Sequence, residues 1–146
     1  AGGISGQGDG VFRIVGAGPG DDRDSAVHMA HHGLDGAHAL LIAHSGGVGV
    51  KEAGGDLALV QKTRELCPED FYIWSGNDDE TAPIMLFGGK GVISVAANVV
   101  PREMHRLTEA CLKGDFVTAG RMQLELRKLC EALFWEVNPI PVTAQR

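Results

Sequence analysis

A chain of 146 residues can form one domain with its own core, but it is short for a (β/α)8 barrel of the usual ~250 residues. Hydrophobic residues make up 44% and charged residues 22%, which is ordinary for a soluble globular protein. No apolar run approaches the roughly 20 residues of a membrane span, and no signal-peptide pattern opens the chain. The net charge of -6 argues against a nucleic-acid-binding surface.

The cysteines predict a reducing compartment. Cys67, Cys111 and Cys130 are an odd number, and their spacing suits neither a zinc site nor a disulfide framework. Each lies in a predicted helix, so we interpret them as reduced core thiols of a cytoplasmic protein.

The first part of the chain reads as alternating strands and helices. Residues 1–10 are half glycine and are predicted to be irregular. A strand is predicted over 11–15, a glycine turn over 16–20, a helix from about Asp21 to Gly33, and a second strand over 38–43.

Two motifs in this part have a functional interpretation and a structural one. The strand followed by Gly16 and Gly18 begins like a dinucleotide-binding fingerprint, but the third glycine position is Asp21, whose charge would repel a pyrophosphate. On the predicted helix, His28 and His32 share a face with the spacing of metal ligands, and His31 lies beside them. Without a nearby glutamate or a third ligand, a solvated helix face is the better interpretation.

From Asp56 onward the pattern is regular. Helices are predicted from Asp56 to Pro68, over 81–87, from Pro101 to Gly114 and from Asp115 to Asn138, with strands over 71–74 and 91–96. The last helix carries an apolar seam at steps of three and four, formed by Ala119, Met122, Leu126, Leu129 and Leu133.

A strand over 48–51 ends in Lys51, and a glycine-rich turn follows at once. A lysine at the end of a buried strand has a lowered pKa because burial disfavours its ammonium form. The neutral amine can then attack a carbonyl and form a Schiff base, and α/β barrels keep their chemistry at this end of their strands. The structural interpretation is a lysine that extends from the strand end to water.

Four blocks of the sequence, in order and spacing, resemble one family. They are Val50–Leu57, Trp74–Asp79, Gly91–Val99 and Glu136–Val142. Together they are similar to the C-terminal half of the 4-hydroxy-tetrahydrodipicolinate (dihydrodipicolinate) synthase family, within the pyruvate-dependent Schiff-base aldolases and lyases. The resemblance implies an α/β fold of the (β/α)8 TIM-barrel type, incomplete as written, with a C-terminal helical segment.

The resemblance also implies the boundaries and the site. Residues 1–100 would form the partial barrel, and residues 101–146 would add its last helix and the C-terminal helical segment of the same domain. Lys51 would form the imine with pyruvate, while Gly76 and Ile93 would line the substrate pocket, Ile93 through its backbone. Asp78 and Asp79 suit capping of the following helix at least as well as substrate contact. Glu52 would point to the opposite face and be structural.

The function implied is condensation of pyruvate with aspartate-4-semialdehyde in lysine (diaminopimelate) biosynthesis, without a metal or a cofactor, by a cytoplasmic homo-oligomer that is usually a homotetramer in the family. Two alternatives remain: another pyruvate aldolase such as N-acetylneuraminate lyase, and a non-catalytic truncated fragment. The family's catalytic tyrosine, binding arginine and threonine pair have no matching block in this sequence, whose single tyrosine is Tyr72. Thr143 also replaces the family's usual lysine.

One connection disagrees with a barrel. Only four residues separate the predicted strands that end at Ala43 and begin at Val48, which suits an antiparallel hairpin and not a parallel crossover. The sequence is compatible with a shortened or rearranged relative, and with pieces of a longer sequence joined together.

Overall fold

The computed structural model describes residues 48–134, the single positions 39, 43 and 44, and the backbone of two strands at 13–16 and 27–30. The strands are β1 (Arg13–Gly16), β2 (Val27–Ala30), β3 (Gly49–Glu52), β4 (Tyr72–Ser75) and β5 (Gly91–Ser94). The helices are α1 (Leu57–Leu66), α2 (Thr81–Leu86), α3 (Pro101–Leu112) and α4 (Phe116–Leu133), with short 3-10 helices η1 (Asp78–Glu80) and η2 (Ala96–Asn98).

The strands form one sheet in the order β1-β5-β4-β3-β2. Neighbours from β2 to β5 are parallel, so the carboxyl ends of β3, β4 and β5 lie at one edge. β1 runs antiparallel to β5, whereas a (β/α)8 barrel contains parallel strands only. The described part of the chain is therefore an α/β fold with a mixed, mostly parallel sheet.

Two predictions in the first part of the chain are wrong. The predicted helix over 21–33 contains β2, because Val27–Ala30 pairs with β3 along its whole length and this pairing overrides the helical pattern. The predicted strand over 38–43 is also wrong, since Ala39, Ala43 and His44 are helical. Alanine favours a helix, and both edges of β3 are already occupied by β2 and β4, which leaves no room for a hairpin partner.

The helical residues before β3 also resolve the difficulty with the short connection between the predicted strands over 38–43 and 48–51. The chain runs from β2 through helical residues to β3, and these two strands are parallel, as a crossover requires. Ala39 is buried against Val50 and Val60, so the helical residues cover the sheet. Among the described residues, the strand that pairs with β3 on this side lies at 27–30 and is parallel to it, so the predicted hairpin is wrong.

Several earlier predictions lie outside the described residues. They concern residues 1–10, the turn after Gly16 with its dinucleotide interpretation, His31 and His32, and the block at 136–142. His28 belongs to β2 and not to a helix, so the proposed histidine face is wrong at that position.

From Asp56 onward the predicted helices are confirmed, and so are the caps at Asp56 and Asp115, but the last helix ends at Leu133 and its predicted end at Asn138 lies outside the described residues. The Asp56 carboxylate accepts hydrogen bonds from Ala58 N at 2.9 Å and Leu59 N at 3.2 Å, and Asp115 accepts one from Thr118 N at 3.0 Å. β5 ends at Ser94, two residues before the predicted end of that strand, because η2 begins at Ala96.

Two hydrophobic clusters cover one face of the sheet. One packs α3 and α4 against β5, and the other packs α1 against β3 and β4. The buried residues of the first include Val92, Met104, Leu107, Ala119, Leu126 and Leu133, and those of the second include Val50, Val60, Phe71 and Ile73. All three cysteines are buried and reduced, with Cys67 directly after α1 and the other two inside α3 and α4. Within the described residues, no helix is both long and apolar enough to span a membrane.

Candidate active site

Lys51 lies near the carboxyl end of β3 and is 3% exposed. Burial lowers the pKa of its amine below the usual value, while the nearby Asp78 carboxylate partly opposes this effect. A lysine in this setting has a larger neutral fraction than a lysine in water. The predicted burial of Lys51 is confirmed.

The sheet register places Lys51 on the face opposite the helices. Side chains alternate along a strand, and residues paired in register share a face. Val50 and its partner Ile73 pack in the hydrophobic cluster that α1 forms with β3 and β4. Lys51 and its partner Trp74 therefore point to the other side of the sheet. Trp74 is fully buried there, and its ring lies 5.5 Å from that of Tyr72, between centroids. Trp74 thus adds a buried aromatic side chain to the face of the sheet that carries Lys51.

Gly76 contacts the lysine side chain. A Cβ at this position would lie 2.8 Å from Lys51 Cε, 2.6 Å from Ala53 Cβ and 2.9 Å from the Glu52 carbonyl oxygen. Any larger residue would therefore displace the lysine or the end of β3. The loop after β4 approaches the amine closely only because residue 76 is glycine.

Hydrogen bonds fix this loop. Ser75 Oγ donates to the Asn77 carbonyl oxygen at 2.6 Å and accepts from Asn77 N at 3.2 Å. Asn77 Nδ2 donates to Glu80 Oε2 at 2.7 Å. The loop is thus held by hydrogen bonds of its own side chains together with its contact with the end of β3.

Ile93 lies in β5 on the same face as Lys51. Trp74 pairs with Gly91, and Ile93 is two residues further along the strand. Its side chain is 9% exposed, and its backbone lies opposite Ile14 of β1. The fold thus brings Lys51, Gly76 and Ile93 to one region; their roles remain predictions.

The carboxylates beside the site have structural contacts. Glu52, on the helical face, accepts a hydrogen bond from Gly54 N at 2.6 Å, and burial raises its pKa. Asp78 does not cap the helix that follows it. Its carboxylate instead accepts from Val95 N and Ala96 N, both at 3.0 Å, and caps η2 across the sheet edge. The expectation that Asp78 caps the next helix is therefore wrong, because burial turns its carboxylate toward β5.

Sequence analysis missed two polar residues of this network. Ser94 Oγ donates to Asp78 Oδ1, and Gln123 Nε2 donates to the Asp78 carbonyl oxygen at 2.8 Å. Gln123 is buried because the seam of α4 runs one position later than predicted at two steps, through residues 119, 123, 126, 130 and 133. The sequence signal for a buried polar role of Gln123 was a single glutamine beside an otherwise apolar seam of the helix.

One known protein family matches most of this chain. The model of the dihydrodipicolinate synthetase family matches residues 34–145. The chain belongs to this family. Among the described residues, there is no group of three histidine, cysteine, aspartate or glutamate side chains that could hold a metal ion.

Relatives of the dihydrodipicolinate synthetase family share much of the sequence. A 4-hydroxy-tetrahydrodipicolinate synthase of Thermoanaerobacter sp. (strain X514) is 54% identical over 95 residues, which cover 65% of this chain and 32% of the relative. One of Methanospirillum hungatei is 50% identical over 105 residues, which cover 71% of this chain and 36% of the relative. The matched part of the chain thus spans about one third of these relatives.

The fold of this chain resembles solved structures of the same family. The dihydrodipicolinate synthase of Aquifex aeolicus superposes with a TM-score of 0.72 and 38% identity, covering 75% of this chain and 38% of that chain. The synthase of Bacillus anthracis gives a TM-score of 0.75 and 28% identity, covering 82% and 43%.

Proposed function

We propose that this chain is a Schiff-base-forming lyase that condenses pyruvate with aspartate-4-semialdehyde. The observation that carries the proposal is the buried lysine at the carboxyl end of β3, in a chain of the dihydrodipicolinate synthetase family. The relatives named above are 4-hydroxy-tetrahydrodipicolinate synthases, and their similarity to this chain supports the second substrate and the role in lysine biosynthesis that we propose. A biosynthetic role of this kind favours action in the cytoplasm.

The first step is attack of neutral Lys51 Nζ on C2 of pyruvate. The C–N bond forms, the carbonyl oxygen takes up one amine proton and one proton from solvent and leaves as water, and a protonated imine remains. The lowered pKa of Lys51 supports this step because only the neutral amine carries the attacking lone pair.

The imine then works as an electron sink. Loss of one proton from the methyl carbon of pyruvate gives an enamine, and the electron pair of that C–H bond neutralises the iminium. The enamine carbon attacks the aldehyde carbon of aspartate-4-semialdehyde, so a C–C bond forms and the imine is restored. The amino group of the adduct next attacks C2, closes the ring and releases Lys51 as the free amine.

Gly76 and Ile93 would shape the pocket for pyruvate. Gly76 leaves room beside the Lys51 side chain, where a larger residue would clash. Ile93 lies on the same face of the sheet and would contact substrate through its backbone, at the point where β5 ends and η2 follows.

The architecture that we propose is a set of (β/α) units of a TIM barrel. The four parallel strands β2 to β5 would contribute to a ring of eight, which the antiparallel β1 cannot join, and residues 1–100 and 101–146 would belong to one domain. The shared core supports this division, because α3 and α4 pack on β5. Open strand edges favour association, so we propose a homo-oligomer. The family also contains a variant described as monomeric.

Intact mass spectrometry after incubation with pyruvate and borohydride tests the proposal. Borohydride reduces the imine to a stable amine, and we expect one adduct that peptide mapping assigns to Lys51. Lys51→Ala should give none, whereas Lys62→Ala, which changes an exposed lysine of α1, should retain it. Circular dichroism would show that each variant is folded.

The absence of any adduct on the folded chain would favour the non-catalytic alternative. One observation supports that alternative: the single tyrosine, Tyr72, packs beside Trp74 near the start of β4, away from the end that carries Lys51. A chain without a positioned hydroxyl for proton transfer could trap pyruvate and still turn over slowly. Consumption of pyruvate with aspartate-4-semialdehyde, compared with cleavage of N-acetylneuraminate, separates the two lyase readings.

A further inference from the structure

Asp78 connects two elements at the edge of the sheet. It lies in η1, after β4, and is 1% exposed. Its Oδ2 accepts hydrogen bonds from Val95 N and Ala96 N, both at 3.0 Å, and its Oδ1 accepts one from Ser94 Oγ. Burial raises the pKa of this carboxyl group, while the hydrogen bonds from Ser94, Ala96 N and Val95 N oppose that effect and favour its ionised form.

Ser94 extends this clamp along the chain. Its Oγ accepts a hydrogen bond from Ala97 N at 2.8 Å while it donates to Asp78. The main chain from Ser94 to Ala97 is therefore held at three amide groups, by one carboxylate and one hydroxyl. This segment begins directly after Ile93, so the clamp fixes the direction in which the Ile93 backbone leaves the strand.

Asp78 is itself held from the other side. Its carbonyl oxygen accepts hydrogen bonds from Gln123 Nε2 at 2.8 Å and from Thr81 Oγ1 at 2.9 Å. Gln123 Oε1 in turn accepts from Ala82 N at 2.9 Å. Helix α4 thus anchors the start of α2 and the backbone of η1, and the carboxylate is fixed in place.

The same loop contacts Lys51. Gly76, two residues before Asp78, lies against the Lys51 side chain, which brings the carboxylate to the end of the sheet where the amine lies. The negative charge of Asp78 raises the pKa of the lysine against the effect of burial.

We propose that Asp78 is a positioning residue of the pyruvate site, which fixes the main chain after Ile93 and stabilises positive charge on Lys51. This inference rests on the proposed function, because the positive charge that matters is that of the imine. An ionised Asp78 would favour the protonated imine over its neutral form, and a clamped Ile93 backbone would hold pyruvate without rearrangement.

Few other charges act on this pair among the described residues. Asp79 follows Asp78 and is exposed, and Glu52 lies on the opposite face of β3, where it accepts from Gly54 N. Cys130 of α4 faces the two aspartates, and burial together with their charges raises the pKa of its thiol to about 12, so it is neutral at the pH of the experiment. Among the described acidic residues, Asp78 is therefore the one whose neutralisation should most change the pKa of Lys51.

The test measures the rate of pyruvate trapping on Lys51 against pH in Asp78→Asn and in Ser94→Ala. Asp78→Asn removes the charge and keeps the shape, so the half-maximal pH should move to lower values, because Lys51 loses a neighbour that raises its pKa. Ser94→Ala keeps the charge of Asp78 and removes two hydrogen bonds, one donated to Asp78 and one accepted from Ala97 N, so the pH profile should stay in place. The pyruvate concentration for half-maximal trapping should rise by about tenfold, the effect of one charged hydrogen bond.

A matched control is Asp70→Asn, which neutralises an exposed aspartate before β4 and should reproduce the wild-type profile. A structural role alone would lower thermal stability without moving the pH profile of Asp78→Asn. An unmoved profile in a folded Asp78→Asn protein would overturn the inference. If that variant does not fold, an unchanged half-maximal pyruvate concentration in Ser94→Ala would do the same.

These outcomes are distinct from failure of the proposed function. If the wild-type chain forms no adduct, the lysine is not a Schiff-base lysine and both proposals fall together. If the wild-type chain forms an adduct and the variants match it in pH profile and half-saturation, the Schiff base stands and only the role of Asp78 is lost.

Discussion

Gly76 and Lys51 touch: a Cβ on Gly76 would lie 2.8 Å from Lys51 Cε. This contact comes from two separate segments, the carboxyl end of β3, where Lys51 precedes the last residue, and the loop that follows β4. The parallel pairing of the two strands brings their carboxyl ends to one edge, and the lack of a side chain at residue 76 allows the loop to close over the lysine. Residue 76 therefore controls the space available to the amine.

Gly76→Ala should impair imine formation. The added methyl would come within 3.0 Å of Lys51, Ala53 and Glu52, so the lysine or the strand end must move. We expect the trapping rate to fall on the order of 100-fold, as for a misplaced reacting group. The free energy of unfolding should fall by about 1–3 kcal/mol, the range for overpacking. Borohydride trapping and urea titration measure the two effects.

Gly120→Ala is the matched control for that substitution. Gly120 lies within α4, and a Cβ there meets nothing within 4 Å. Alanine in a helix interior should raise stability by about 0.5–1 kcal/mol and leave trapping unchanged. Equal trapping rates in the two alanine variants would contradict the role assigned to Gly76.

Sequence patterns predict the second half of this fold well because each element carries its own boundary signals. Asp56 and Asp115 cap their helices, Pro101 opens α3, and Gly114, with φ of 80°, ends it. Lys51 stands out at the end of a β-branched run, but the local sequence also suits a lysine that extends to water, and the family resemblance favoured the buried lysine.

The first part of the chain shows where local patterns fail. Val27–Ala30 has no strong strand signal of its own and becomes a strand by pairing with β3. The network around Asp78 was also beyond prediction, because its partners Ser94 and Gln123 are 16 and 45 residues away in the chain. Long-range hydrogen bonds of this kind depend on how helices dock, which a single sequence does not specify.

Leu107→Ala tests the packing of α3 on the sheet. Leu107 is fully buried in the hydrophobic cluster that packs α3 and α4 against β5. Its truncation should leave a cavity and lower the free energy of unfolding by about 2–5 kcal/mol. Leu124→Ala, at a leucine of α4 that is 72% exposed, should change stability by less than about 0.5 kcal/mol. Similar losses for both variants would argue against the helical packing described above.

The three cysteines should react slowly with a thiol reagent such as DTNB at pH 8. Burial raises the pKa of Cys111 from 9.0 to about 11 and, with Asp78 and Asp79, that of Cys130 to about 12. A rise of two pKa units makes the reactive thiolate about 100-fold rarer at this pH. Unfolding in urea should release three fast-reacting thiols; fast reaction of Cys111 or Cys130 in the native protein would contradict their burial.

The same raised pKa values predict a loss of stability in alkali. Above pH 9 the unfolded chain loses thiol protons that the folded chain retains up to about pH 11 or 12. The unfolded state then binds fewer protons, so the contribution of the thiols to the free energy of unfolding falls as the pH rises through this window. Urea titrations between pH 8 and pH 11 measure it, and Cys111→Ala combined with Cys130→Ala should flatten the slope.

Lys51→Met should show that the reactive lysine costs stability. The folded-state pKa of Lys51 lies below 10.5, so its ammonium form is less favourable in the folded chain than in the unfolded chain. The cost is fully present below the folded-state pKa and disappears as the pH rises from that value to 10.5. Methionine has a similar length without charge, so Lys51→Met should be more stable than the wild type by about 1 kcal/mol at neutral pH, and by less in alkali. Lys62→Met, at an exposed position of α1, should change stability by less than about 0.5 kcal/mol at either pH. A loss of stability in Lys51→Met at neutral pH would contradict this prediction. It would mean that the interactions of the ammonium group stabilise the fold by more than its burial costs. Lys51 would then be held in its charged form, which cannot attack a carbonyl.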